Sequence, residues 1–139
     1  MSILTYYTDG TQTVGGYGTD VKKAQAEIDF TLTTITTADV IEAVKIPAGA
    51  LVHNVYTVIV TAEGSTATAT VGDADAAAGW GASVDLNGVA GTMTGGAVSD
   101  TFPALGGKYY ASADTIDLTV TGVIETGKVK VIANYSIVE

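Results

Sequence analysis

The chain has 139 residues, room for one domain, and its 47% hydrophobic content is enough to bury a core without a metal or a crosslink. It has no cysteine, which excludes disulfide scaffolds, thiol catalysis, Cys-based zinc sites and iron–sulfur clusters. Fifteen acids face six lysines and no arginine, a net charge of -9, which counts against nucleic acid, anionic membranes and phosphorylated ligands because each needs cations to meet it.

Glycine (17 residues) and threonine (22) dominate, and strong helix formers are sparse, which is a β composition. The first 24 residues stand apart, with Asp9-Gly10 and Gly15-Gly16-Tyr17-Gly18 and no sustained period. Their larger apolar side chains (Ile3, Leu4, Tyr6, Tyr7, Val14, Tyr17, Val21) are too few to offset the entropy of ordering the segment on its own. Amphipathic tyrosines suit interfaces, so residues 1–24 read as an extended arm that orders on a neighbouring subunit, as an added strand or a strap. Ile3, Leu4, Tyr6, Tyr7, Val14 and Tyr17 are its expected contacts.

Residues 25–139 read as the folded domain. Ala26, Ile28, Phe30 and Leu32 alternate with Glu27, Asp29, Thr31 and Thr33, the two-residue period of a half-buried strand. Val40 to Ile46 follows, closed by Pro47-Ala48-Gly49. A β-branched run from Leu51 to Thr61 comes next, closed by Glu63-Gly64-Ser65, and then Thr/Ala alternation from Thr66 to Val71. Residues 72–107 are rich in Gly, Ala and Asp, with a short strand expected at Ala82 to Leu86. Lys108 to Ala111, Thr115 to Val120 and Lys128 to Ile137 complete the set. About eight short strands without a convincing helix predict an all-β, jelly-roll-like antiparallel β-sandwich. Met1 to Thr5 lacks the basic start and apolar stretch of a secretory signal, and no run approaches a bilayer span, so the expected place of synthesis is the cytoplasm of the producing cell.

No constellation carries chemistry. His53, the sole histidine, lies mid-strand with no Gly-x-Ser-x-Gly elbow anywhere, and reads as a strand histidine that is solvated or hydrogen-bonded locally. Asp73-Ala74-Asp75 lacks the spacing of a calcium loop, with Ala76-Ala77-Ala78 where donors should follow, and Asp85 could join it only through the fold. These acids read as turn residues that bond to their own backbone and keep the loop wet. Trp80 reads as core, Asn134-Tyr135-Ser136 as a chance glycosylation match, and the Gly-rich stretches as turns. No enzyme activity, cofactor, metal or small-molecule substrate is expected.

Taken together, Val44-Lys45-Ile46-Pro47-Ala48-Gly49-Ala50-Leu51-Val52, Val71-Gly72-Asp73 leading to Gly79-Trp80 and Ser83-Val84-Asp85-Leu86-Asn87, Ala113 to Leu118, and Thr126 to Val131 resemble a pattern of small jelly-roll structural proteins of tailed bacteriophages. The resemblance covers residues 40–138. It implies a capsid decoration (cement) protein: a homotrimer on the outer surface of the virion, bound to the major capsid protein, with no catalytic residues. The acidic charge agrees, since it keeps a crowded outer face soluble and would be repelled by packaged DNA. A rival reading is a receptor- or carbohydrate-binding module of a tail fibre, which requires an exposed aromatic platform of Trp80, Tyr109 and Tyr110. A hydrolase using Asp73 and Asp85 is the third.

Overall fold

The computed structural model describes residues 7–8, 11–12, 21–32, 35–97 and 99–138. Two short strands, β1 (Tyr7–Thr8) and β2 (Thr11–Gln12), pair with each other antiparallel. Nine further strands build an antiparallel β-sandwich: β3 (Lys22–Asp29), β4 (Val40–Ile46), β5 (Ala50–Thr61), β6 (Ala67–Gly72), β7 (Gly81–Asp85), β8 (Met93–Gly95), β9 (Lys108–Tyr110), β10 (Asp114–Gly122) and β11 (Lys128–Ile137). One sheet has the order β4-β10-β6-β7; the other runs β3-β11-β5-β8, with β9 also pairing with β5. Except at β6–β7 and β8–β9, each strand is followed by one in the opposite sheet.

The two-residue period explains the core. Ile116, Leu118 and Val120 of β10 and Val129, Val131 and Ala133 of β11 are completely buried and face each other across the sandwich. Trp80, Phe30, Ile46, Ile59 and Leu86 fill the remaining space. Each such side chain contributes on the order of 1.5–3 kcal/mol by burial.

Several expectations need correction. The first strand stops at Asp29, because that carboxylate accepts bonds from the Thr31 backbone N–H (2.9 Å) and hydroxyl (2.6 Å), turning the chain. Leu32, expected on its buried face, is therefore 81% exposed. At its other end β3 begins at Lys22, so the expected arm boundary at residue 24 falls inside a strand. Strand β8 and a four-residue helix, α1 (Thr101–Ala104), occupy the Gly/Ala-rich stretch where neither was expected.

Candidate functional site

The interior faces of the two sheets are alike; their outer faces are not. On the outside of β4-β10-β6-β7, the register sets Thr119 beside Thr70, Thr121 beside Thr68, and Thr68 beside Asp85. Glu42 stands directly opposite Asp117 and Lys45 opposite Thr115. This face is threonine-rich and acidic, with Lys45 its one lysine among the described strand residues. Burial pushes the Asp117 carboxyl up; a Thr115 hydroxyl bond (2.6 Å) opposes this, while the charges of Glu42, Asp114 and Asp73 reinforce it, and the net is upward.

The outside of β3-β11-β5-β8 reads differently. Its cross-strand rows are Met93–Val58–Lys130–Glu27, Gly95–Tyr56–Ile132–Gln25, and Asn54–Asn134–Lys23, with Tyr109–Leu51–Ser136 at the end supplied by β9. Two irregularities in the β5–β11 register add to it. One places His53 on this face, where its Nε2 lies 2.9 Å from Ser136 Oγ; the other leaves Val60 exposed beside Thr61. Met93 and Tyr109 are 59% and 52% exposed. Four of the chain's six lysines (Lys22, Lys23, Lys128, Lys130) stand on β3 and β11, with Lys128 reaching Asp29 at 3.6 Å. Gly95, at φ 146, has no side chain because a Cβ there would strike Val55 and the Tyr56 ring, which lies across the strand. A sheet face combining aromatic, aliphatic and methionine side chains with lysines has the composition of a protein-binding surface.

Two buried polar clusters brace the ends of the sandwich. Strand β9 turns Lys108 and Tyr110 inward and Tyr109 outward. Trp80 Nε1 donates to the Tyr110 hydroxyl (3.0 Å), which donates to Asp73 Oδ2 (2.7 Å). Lys108 Nζ also donates to that oxygen (2.6 Å) and to Asp75 Oδ2 (2.9 Å), while sitting 4.6 Å and 4.8 Å from the centres of the Phe102 and Tyr110 rings. Asp73 Oδ1 accepts from the N–H groups of Asp75 and Ala76. Burial pushes the Asp73 carboxyl up, but the Lys108 and Tyr110 bonds, the Ala76 N–H and the Lys108 charge outweigh it and hold it below its ordinary value. Burial also drives the Tyr110 hydroxyl up, and Asp73 adds to the rise.

Glu63 is the second brace. Its carboxylate accepts from the N–H groups of Glu125 (3.0 Å), Thr126 (2.9 Å) and Gly127 (2.9 Å) and from the Thr126 hydroxyl, which ties the end of β5 to the β10–β11 turn. Asn87 Nδ2 donates to the Glu63 carbonyl. Burial raises the Glu63 carboxyl and these donors outweigh it, leaving it lowered. A Cβ on Gly127 would come 2.9 Å from Glu63 Oε1, so the turn needs glycine there for close approach.

The structure places the sequence-predicted residues as follows. Ile3, Leu4, Tyr6, Val14 and Tyr17 lie outside the described residues, as does the Tyr7 side chain; only the Tyr7 backbone is placed, in β1. Val21 is 63% exposed. Asp73 and Asp85 do bond their own turn backbone, but Asp73 is not wet: its side chain is fully buried by the pairing with Lys108, whereas Asp75 and Asp85 are exposed. Asp85 lies at the opposite end of β6 from Asp73, so the two form no acid pair. The aromatic platform does not form either, since Trp80 and Tyr110 are 1% and 3% exposed and only Tyr109 faces out. Among the described residues, no group of three or more His, Cys, Asp or Glu side chains is placed to hold a metal ion. Glu63 and Lys108 were missed, for their partners lie 62 to 64 and 33 to 35 residues away and no local pattern marks them.

No protein-family model and no curated protein sequence matches the chain. Solved structures do. A chain of the cyanophage Pam1 capsid asymmetric unit is 24% identical with a TM-score of 0.65, over 88% of this chain and 88% of that one. A chain of the acid-stable capsid of Helicobacter pylori bacteriophage KHP30 is 20% identical with a TM-score of 0.62, over 86% of this chain and 89% of that one. A chain of the capsid of Ralstonia phage GP4 is 15% identical with a TM-score of 0.63, over 88% of each. The sandwich fold is thus shared, nearly end to end, with chains of phage capsid structures.

Proposed function

We propose that the chain is a non-enzymatic virion structural protein, a capsid decoration or cement protein that binds the major capsid protein on the outer head surface and bridges neighbouring subunits. The observation that carries this reading is the near-complete, reciprocal match to chains of three phage capsid structures. Because the shared region takes the same share of both partners, the matched chains are about this chain's length. A single sandwich is then a capsid component in its own right. The strand orders β3-β11-β5-β8 and β4-β10-β6-β7, in which the first and last strands of the sandwich are neighbours, support the jelly-roll reading. The division of the outer surface fits as well, with one face suited to protein contact and the other, threonine-rich and acidic, suited to solvent. Assembly as a homotrimer, with residues 1–20 reaching an adjacent subunit, completes the proposal.

The test is binding to undecorated heads of the phage that encodes the chain, followed by sedimentation and electron microscopy. The full chain is expected to saturate a regular set of outer sites and raise the temperature at which heads rupture. A chain lacking residues 1–20, checked for folding by circular dichroism, is expected to bind at least about tenfold more weakly. Absence of binding by the full chain to heads of either maturation state would overturn the reading.

A further inference from the structure

We propose that the outer face of the β3-β11-β5-β8 sheet is the seat for residues 1–20 of a neighbouring copy of this chain. The inference deepens the arm's part in the capsid reading, yet it is tested on the pure protein, so the two can fail separately.

Three observations converge on this occupant. The first is complementary chemistry. Residues 1–20 carry Asp9 and Asp20, no lysine, and the apolar or aromatic residues Ile3, Leu4, Tyr6, Tyr7, Val14 and Tyr17. The face they would cover presents Lys23, Lys128 and Lys130 around Tyr56, Val58, Ile132 and Met93, with Glu27 beside Lys130 and Asp29 beside Lys128, so lysines still outnumber acids there, while the opposite face sets Glu42, Asp85 and Asp117 against Lys45 alone among the described strand residues. The second is reach. With residues 7–12 folded back as a ribbon, the eight residues 13–20 would still span up to about 26–29 Å if extended, whereas four paired strands are only about 15 Å across, so the segment can leave one sandwich and cross another.

The third is direction. Among the described residues the last β3–β11 pair is Lys22 with Tyr135, and β11 continues past it, pairing Ser136 and Ile137 with β5. Val21 lies outside the strand, so residues 1–20 join the sandwich at the Tyr135 end of this face. The row of Met93, Val58, Lys130 and Glu27 lies at the other end of the face. To cover it, a chain's own leading segment would have to turn back along the sheet, whereas a neighbour's can arrive from outside. The short antiparallel ribbon of Tyr7–Thr8 with Thr11–Gln12 gives the segment a preformed element to lay down.

The test places the photoreactive residue p-benzoylphenylalanine at Met93 in the full chain, mixes isotopically light and heavy copies at a concentration where sedimentation shows oligomers, and maps the crosslinks by mass spectrometry. Residues 1–22 form one tryptic peptide, as no lysine or arginine precedes Lys22. Crosslinks joining a light chain at position 93 to a heavy residue 1–20 peptide are expected, and the same probe at Thr119 on the other face is expected to give none. Crosslinks to residues 1–20 within one chain only, to another segment, or none at all would overturn the proposal, as would a chain that stays monomeric at every concentration. A full-length Tyr6→Ser, Tyr7→Ser variant, altered outside the sandwich, is expected to self-associate about tenfold more weakly or less well still. Unchanged self-association would likewise overturn it.

Discussion

The two sheets present the same kind of surface inward and opposite kinds outward. Inside, β10 and β11 both bury an unbroken alternation of aliphatic side chains. Outside, β10 and β6 show paired threonines beside Glu42 and Asp117, while β11 and β5 show Ile132, Tyr56 and Val58 beside Lys130. Stability can thus be shared evenly between the sheets while recognition belongs to one of them. Burial is non-directional and needs only apolar area, whereas recognition needs a particular pattern of charge and shape.

The largest effect tests the shared interior. Leu118→Ala in β10 is expected to cost about 2–5 kcal/mol in urea unfolding, and Val131→Ala in β11 somewhat less, with the difference set by side-chain size and not by sheet. If one sheet tolerated such truncations freely, the equivalence of the interiors would fail. Next comes Glu63→Ala, which removes the acceptor of three N–H groups, that of Gly127 buried and those of Glu125 and Thr126 partly buried, and is expected to cost about 2 kcal/mol.

The acid response follows from the same braces. Glu63 and Asp73 are held below their ordinary values of 4.5 and 3.8, so the stability each contributes is complete above those values and is lost as the pH falls through the lowered ones. Asp117, held above 3.8, runs the other way: it opposes folding while charged and that penalty lifts on protonation. Unfolding midpoints are expected to be flat from about pH 7 to about pH 5 and to fall below about pH 4. Glu63→Gln should flatten part of that fall; an unchanged acid slope in this variant would remove Glu63 from the account.

The smallest stability effects separate the outer faces. Ile132→Lys and Thr119→Lys are both expected to shift monomer stability by about 0.5 kcal/mol or less. Only Ile132→Lys is expected to abolish self-association, read by sedimentation, and equal losses from both would erase the distinction between the faces.

The strands were legible where alternation is strict, as in β10 and β11, and where a local turn closes the run, as Pro47-Ala48-Gly49 does after β4. The expectation failed at Leu32 because Asp29 bends the backbone before the apolar period ends, a hydrogen-bonding event that hydrophobicity does not record. Strand β8 has three residues and a glycine, α1 four residues, and neither completes a period. Trp80 was legible as core from its size and polarity alone. Asp73 was legible as a turn but not as the anchor of Lys108, and Glu63 looked like any acid before Gly64-Ser65. In both cases the partner is delivered by the sandwich and not by sequence proximity. The binding face was hidden for the same reason, since its three lysines (Lys23, Lys128 and Lys130) and its apolar residues come from strands at both ends of the chain and meet only when β3, β11 and β5 pair.

Lysine acetylation followed by mass spectrometry, on dilute monomer and on assembled protein, tests the division of faces most directly. Lys45 on the threonine face serves as the internal control for Lys23 and Lys130 on the other. Assembly is predicted to shield Lys23 and Lys130 several-fold while Lys45 keeps its monomer reactivity. Shielding of Lys45 with Lys23 and Lys130 left reactive would contradict the account.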